Sequence, residues 1–180
     1  MEKVEIIRLS QEGGVFNFSY KDQIYKNLEI SLIGEYQVYN ATLALMTILV
    51  LKDKGLINIE EKQIREGLKN TKWPGRLEIL KRNPTFLIDG AHNLQGAKTL
   101  AESIKKFKYN KLILGIAILK DKDVDHIVET IVPLADNIII TEVNMPRKME
   151  AEALEKIINK YNNNTIIEKD MKKAIDKSYE

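Results

Sequence analysis

The 180-residue chain carries 28 Lys and Arg against 26 Asp and Glu, a formal net charge of +2, so no bulk field exists to hold a nucleic acid or an anionic membrane. It has no cysteine, which excludes disulfides, thiolate catalysis and cysteine metal sites, and its two histidines, His92 and His126, supply a protein-only zinc site poorly. With 44% hydrophobic and 30% charged residues it has the composition of a soluble globular protein of one domain, or one domain with part of another attached. No signal-peptide pattern opens the chain, and the longest apolar stretch, 41–51, contains Thr42 and Thr47 and is too short to span a bilayer. A soluble, cytoplasmic protein is expected.

Three strand-like segments come first: VEIIRLS, VFNFSY and NLEISLI, separated by Gly13-Gly14 and by Lys21-Asp22-Gln23. Three short strands bury no core alone, so they are expected either to belong to a larger β unit or to pack on the segments after them. An unpaired edge there would carry a risk of self-association. From Gly34 the period changes. Glu35 to Lys54 reads as a helix capped by Gly55, and 60–70 as a second helix with Ile64 and Leu68 on one face. Trp73-Pro74-Gly75 then breaks the pattern.

Beyond that break, strand-like runs and amphipathic helices alternate. LEIL and TFLID are strands, 94–107 is a helix, KLILGIAI a strand, 124–132 a helix ended by Pro133. NIIIT is a strand, 150–161 a helix, TIIEK a strand, and 171 onward a helix still running at Glu180, beyond which a further strand is expected. This alternation predicts an α/β fold: a Rossmann-like three-layer domain with a mostly parallel sheet, preceded by a short β remnant and two helices. The expected organisation is 1–72 for the strands and two helices, and 73–180 for the α/β domain. Ligands of such sheets sit beyond the carboxyl ends of the strands.

The unusual residues lie at those ends. In Asp89-Gly90-Ala91-His92-Asn93 a strand runs into three polar side chains just before a helix N-terminus, which favours anions. Asp89 there can accept hydrogen bonds from ribose hydroxyls, and His92 and Asn93 can meet a phosphate. Equally, Asp89 can simply turn the chain and Asn93 cap the helix. Arg76 follows a rigid Pro-Gly turn, where a guanidinium suits polyphosphate; a surface pair with Glu78 is the alternative. Gln37 and Asn40 share one face of the first helix, and Asn40 can serve an adenine edge or plain capping. Lys120-Asp121-Lys122-Asp123, with Asp123 as a good N-cap, and then Thr141 and Arg147 follow later strands on the same edge. No GxSxG, GxxxxGK[ST] or GxGxxG motif is present. The last absence argues against a dinucleotide-dependent oxidoreductase.

Taken in order, GEYQVYNA, WPGRLE, DGAHN, G…DKD and T…PR resemble the folylpolyglutamate synthase/dihydrofolate synthase branch of the Mur ligase superfamily, from about Gly34 to Arg147. Residues 1–33 look like the last strands of that family's central ATPase domain. The resemblance implies an ATP-dependent, ADP-forming ligase that adds L-glutamate to dihydropteroate or a folate through an acyl phosphate. ATP and Mg2+ are the implied cofactors, and small molecules rather than nucleic acid or membrane the partners; no oligomeric state is implied. Carried over by motif, Asn40 contacts the adenine, Arg76 the phosphates and Asp89 the ribose, with catalytic His92 at the phosphate end. The family's GTNGKGS-like phosphate loop and magnesium ligands lie upstream of the matching segment, and its late TGS-type motif is not found, so the 180 residues alone are expected to be inactive. The family commonly has His where Tyr36 stands and Pro where Leu94 follows DGAHN. Two other readings stand beside it: a free-standing nucleotide-binding or regulatory domain, and a Mur ligase of cell-wall synthesis.

Overall fold

Alternating side chains in the first thirty residues build an antiparallel meander: β1 (Lys3–Ser10), β2 (Gly13–Tyr20) and β3 (Gln23–Ile30), in the order β1-β2-β3. This is seen in a computed structural model that describes residues 3–180. One face of the meander, with Phe16, Phe18, Tyr25, Leu28 and Ile30, is buried. It packs on Val38, Leu45 and Leu49 of helix α1 (Glu35–Asp53) and Ile64 of helix α2 (Glu61–Asn70). The strands therefore bury their apolar face on the two helices that come next in the chain.

The edges of this sheet are blunted. The β1–β2 register shifts between Ile6 and Arg8, and the β2–β3 register shifts between Phe16 and Phe18. At the second bulge Asn27 adopts a left-handed φ of 54°, and its N–H donates to Asn17 Oδ1 at 2.8 Å. Bulges and the charged Lys3, Glu5, Arg8, Lys26 and Glu29 discourage edge-to-edge pairing.

Helix α1 ends in the Gly55 cap read from the sequence. Gly55 has φ 69°, its N–H bonds Lys52 O at 2.9 Å, and the Leu56 N–H bonds Leu51 O at 3.0 Å, the two bonds of a Schellman motif. The helix is apolar all round. Besides the buried side, Tyr36, Tyr39, Leu43, Met46 and Val50 form a second stripe at 3-4-3-4 spacing, of which Tyr39, Leu43 and Val50 are exposed. Helix α2 opens with a capping box in which Gln63 Oε1 accepts the Glu60 N–H at 2.8 Å.

LEIL and TFLID become β4 (Glu78–Lys81) and β5 (Phe86–Ile88), a separate antiparallel pair with Glu78 opposite Ile88. With no helix between them, no parallel crossover can form. These strands fall in the first of two units, Met1–Asp89, so the division by packing lies later than the 72/73 boundary read from Trp73-Pro74.

The second unit, Gly90–Glu180, is the α/β part. Strands β6 (Ile113–Ile116), β7 (Asn137–Ile140) and β8 (Thr165–Ile167) form a parallel sheet in that order. Helices α3 (Leu94–Ile104), α4 (Val124–Ile131) and α5 (Ala151–Ile158) alternate with them, and α6 (Met171–Lys177) comes last. The core joins Ile138 and Ile140 of β7 to Val128 and Ile131 of α4 and Leu154 and Ile158 of α5. β7, buried and β-branched, is the central strand expected of a covered parallel sheet. The α/β architecture with a parallel sheet is thus the one predicted. No helix among the described residues is long and apolar enough to cross a membrane.

Phe16 is fully enclosed between the meander and α1, so Phe16→Ala should cost about 3–5 kcal/mol. The check is a chemical-denaturation midpoint, and an unchanged midpoint would refute this account of the first core.

Candidate functional site

The turn Trp73-Pro74-Gly75-Arg76-Leu77 is held in an unusual backbone shape. Gly75 takes φ 72° and Leu77, a non-glycine residue, φ 46°. For Leu the left-handed region costs about 1–2 kcal/mol. Three things hold it there. Leu77 is 1% exposed, Glu78 Oε2 accepts the Gly75 N–H at 2.8 Å, and Asp89 Oδ2 accepts the Leu77 N–H at 2.8 Å. The last bond results from register: Glu78 faces Ile88, so Leu77 falls opposite Asp89 at the open end of the β4–β5 pair.

Because Glu78 is engaged with Gly75, it does not take up Arg76. The guanidinium lies over the Trp73 ring, 5.7 Å from its centroid, a contact worth about 0.5–1 kcal/mol at an exposed site. Among the described residues Arg76 makes no ion pair. A cation on a braced turn without a carboxylate partner can receive an anion.

Asn40 is exposed on the first turns of α1, where its amide donates to Gln37 Oε1 at 3.0 Å. Gln37 is 2% exposed and so acts as a fixed support for Asn40. Tyr36 lies one helical turn before Asn40. Its phenol is affected by the charges of both Asp89 and Arg76. Tyr36 and Leu77 both lie beside Gly34, so within the first unit the start of α1 neighbours the turn that Asp89 holds. Burial first, and then the Asp89 charge, hold the Tyr36 hydroxyl above its ordinary pKa.

His92 and Asn93 begin the second unit. His92 is exposed, and its Nδ1 lies 2.9 Å from Gly90 O. The carbonyl can only accept, so Nδ1 donates to it, and Nε2 is the ring nitrogen not engaged by this bond. Asn93 caps α3 through Oδ1, which accepts the Gly96 N–H at 2.7 Å.

The parallel strands bring a second group of residues to one edge. Asp121 pairs with Arg147 at 2.8 Å, and Lys120 N–H bonds Arg147 O at 3.0 Å, so the DKD and Pro146-Arg147 loops are fastened together. Thr141 is buried, its hydroxyl directed to Lys169 O at 3.4 Å. Asp123 stands at the N-cap of α4, but its carboxylate makes no capping bond. It takes His126 Nδ1 at 2.7 Å instead, which, as the main cause, raises the imidazole pKa.

One residue on this edge had no sequence signal beyond its place after β7. Glu142 pairs with Lys148 and with Lys169 at 3.3 Å, and accepts the Ala151 N–H at 3.0 Å. The Lys148 bond first, and the backbone bond second, hold its carboxyl down to about 2. Glu150 and Glu152 bring oxygens within 4.8 Å of it. Lys148 and Lys169 occupy the space between these carboxylates, so the trio does not fit a Mg2+ ion.

Residues 75–180 match the family described as Mur ligase, glutamate ligase domain. Over 143 residues the chain is 32% identical to a dihydrofolate synthase/folylpolyglutamate synthase of Bacillus subtilis, covering 79% of this chain and 33% of that one. It is 33% identical over 152 residues to the enzyme of that description from Mycobacterium tuberculosis, covering 83% and 29%. Among solved structures, M. tuberculosis folylpolyglutamate synthase complexed with ADP and AMPPCP matches 98% of this chain and 40% of its own, with a TM-score of 0.87 and 29% identity. A folylpolyglutamate synthase of Thermotoga maritima matches 97% and 41%, with a TM-score of 0.82 and 31% identity. The chain thus spans about a third of the length of these curated relatives.

Two outcomes check this geometry. Asp89→Ala strands the Leu77 N–H and should cost about 1–3 kcal/mol in denaturation. Glu142, with a folded pKa of about 2 against an ordinary 4.5, contributes stability that is complete above pH 4.5 and is lost as pH falls toward 2. In Glu142→Gln, unfolding between these values should take up about one proton fewer, flattening melting temperature against pH; an unchanged slope would refute the assignment.

An α/β fold, a matched glutamate ligase domain and the shared structure of the solved enzymes agree: the chain belongs to the Mur ligase family.

Proposed function

We propose that Asn40, Arg76 and Asp89 form the nucleotide-binding half of an ATP-dependent ligase site that joins L-glutamate to dihydropteroate or a folate, releasing ADP. The observation that carries this reading is the braced Leu77 turn, which presents Arg76 with no ion-pair partner beside Asp89. The relatives from B. subtilis and M. tuberculosis are dihydrofolate and folylpolyglutamate synthases, and the M. tuberculosis enzyme was solved with ADP and AMPPCP, which supports the substrate class. In this reading residues 1–72 end an ATPase domain and 73–180 form the glutamate ligase domain.

The roles follow from residue chemistry. Asn40 offers both a donor and an acceptor to the adenine edge while Gln37 fixes its amide. Arg76 offers a planar fork to the phosphates. Asp89 accepts from the ribose while holding Leu77 N–H. His92, whose Nδ1 is bonded to Gly90 O, is assigned to the phosphate end by its place in the DGAHN motif, a role in which Nε2 would donate to a phosphate oxygen. A carboxylate of the folate takes the γ-phosphoryl group, giving ADP and an acyl phosphate. The glutamate amine then attacks the acyl carbon, an amide bond forms, and inorganic phosphate leaves as the C–O bond breaks. Magnesium bound with ATP would offset phosphate charge.

Positioning supplies most of phosphoryl-transfer catalysis, and the 180 residues contain no phosphate-binding glycine loop. Alone they should hold ADP only at millimolar concentration and release none from ATP in a folate-dependent way. Calorimetric titration of ADP with magnesium, into the chain and into Arg76→Ala and Asp89→Ala, tests this. Micromolar binding lost in both variants would keep the site but refute the dependence on a phosphate loop. Micromolar binding indifferent to both would refute the site.

A further inference from the structure

Tyr36 has a setting that neither helix packing nor the roles above explain. It stands on the first turn of α1, one turn from Asn40, and is only half-buried. Its ring lies hard against Gly34: a Cβ built on Gly34 would stand 2.6 Å from Tyr36 Cε1 and 3.3 Å from Leu77 Cδ1. Gly34 itself has φ 104°, a conformation side-chain-bearing residues rarely adopt. The bare Cα of Gly34 thus lets the Tyr36 ring and the Leu77 side chain of the turn that carries Arg76 both close on the same point.

We propose that Tyr36 is a wall of the nucleotide site, its ring covering the nucleoside of a bound purine nucleoside phosphate and its hydroxyl hydrogen-bonding the sugar–phosphate portion. The proposal rests on the nucleotide reading of this site. A tyrosine that only filled a core would be enclosed; Tyr36, one helical turn before Asn40, is only partly buried. Asp89 and Arg76 are the charged groups that act on its hydroxyl. Its hydroxyl titrates above the ordinary tyrosine value because of burial, and so stays a neutral donor throughout the neutral range. The resembling family's more common histidine would titrate near pH ~6.5. Tyrosine thus makes the site's charge constant where histidine would make it vary.

The test is ADP titration of the full chain followed by NMR chemical shifts at millimolar nucleotide, with Tyr36→Phe, Tyr36→Ala and Tyr36→His. Tyr36→Phe keeps the ring and should weaken ADP about three- to ten-fold through the lost hydrogen bond; Tyr36→Ala should weaken it further. Tyr36→His should bind ADP more tightly as pH falls from about 8 to about 5.5, as its imidazole gains charge beside the phosphates, while the parent chain shows no such dependence. If Tyr36→Phe and Tyr36→Ala bind as the parent does while Arg76→Ala binds more weakly, the proposal fails and the nucleotide reading stands. If millimolar ADP shifts no resonance near Asn40, Arg76 or Asp89 in the parent chain, both fail.

Discussion

The bond from the Leu77 N–H to Asp89 is the constraint on which the candidate site depends. A leucine in the left-handed region relaxes unless its surroundings hold it. Burial of its side chain supplies part of the restraint, and the carboxylate of a residue twelve positions on supplies a directed part. Once Leu77 is fixed, Arg76 leaves the turn in one direction, Glu78 starts β4, and the pairing of Glu78 with Ile88 returns Asp89 to Leu77. Each contact presupposes the others. The strain is modest against the stability of a domain, yet it falls where a guanidinium must be aimed.

Asp89 has two oxygens and two tasks in the proposed function. Oδ2 holds Leu77, and a ribose would bond to the same carboxylate. Replacing Asp89 therefore disturbs the turn as well as any ligand, whereas Arg76 braces nothing beyond its contact with Trp73. Loss of nucleotide binding in Arg76→Ala bears on recognition more directly than the same loss in Asp89→Ala. Gly34 and Tyr36 form the matching pair on the helix side, since the glycine's missing Cβ makes room for the ring.

The elements were legible where one period ran long enough. The strand alternation of VFNFSY, the apolar NIII of β7 and the Gly55 stop all appear as read. Helix α1 was found by length and cap rather than by face, because its apolar residues surround it, so sequence could not say which side meets the sheet. Asp89, Arg76 and Asn40 stood out because polar residues followed strands or opened a helix. The brace was not legible: nothing in Leu77 announces a positive φ, which depends on the register of β4 with β5. Glu142 was hidden likewise, since its partners Lys148 and Lys169 come from separate loops. The Asp123 capping expectation failed in detail because His126, one turn on, offers the carboxylate a nearer donor.

That difference has a physical pattern. Sequence reveals interactions whose partners lie within a turn or a strand of each other, because period and spacing encode them. It conceals those made by closing a register or joining two loops, and the second kind governs both the β4–β5 end and the β7 edge. At β4–β5 a closed register converts an ordinary Arg-Leu dipeptide into a directed cation. At β7 a loop closure surrounds a carboxylate with two ammonium groups and an amide, removing it from any metal-binding role. Counted by charge alone, the folded three-carboxylate cluster outweighs the lone Arg76 as a place for ligand chemistry. The partners each group already has reverse that order: the carboxylates are neutralised by lysine, while the arginine is held in place with its charge left to be met.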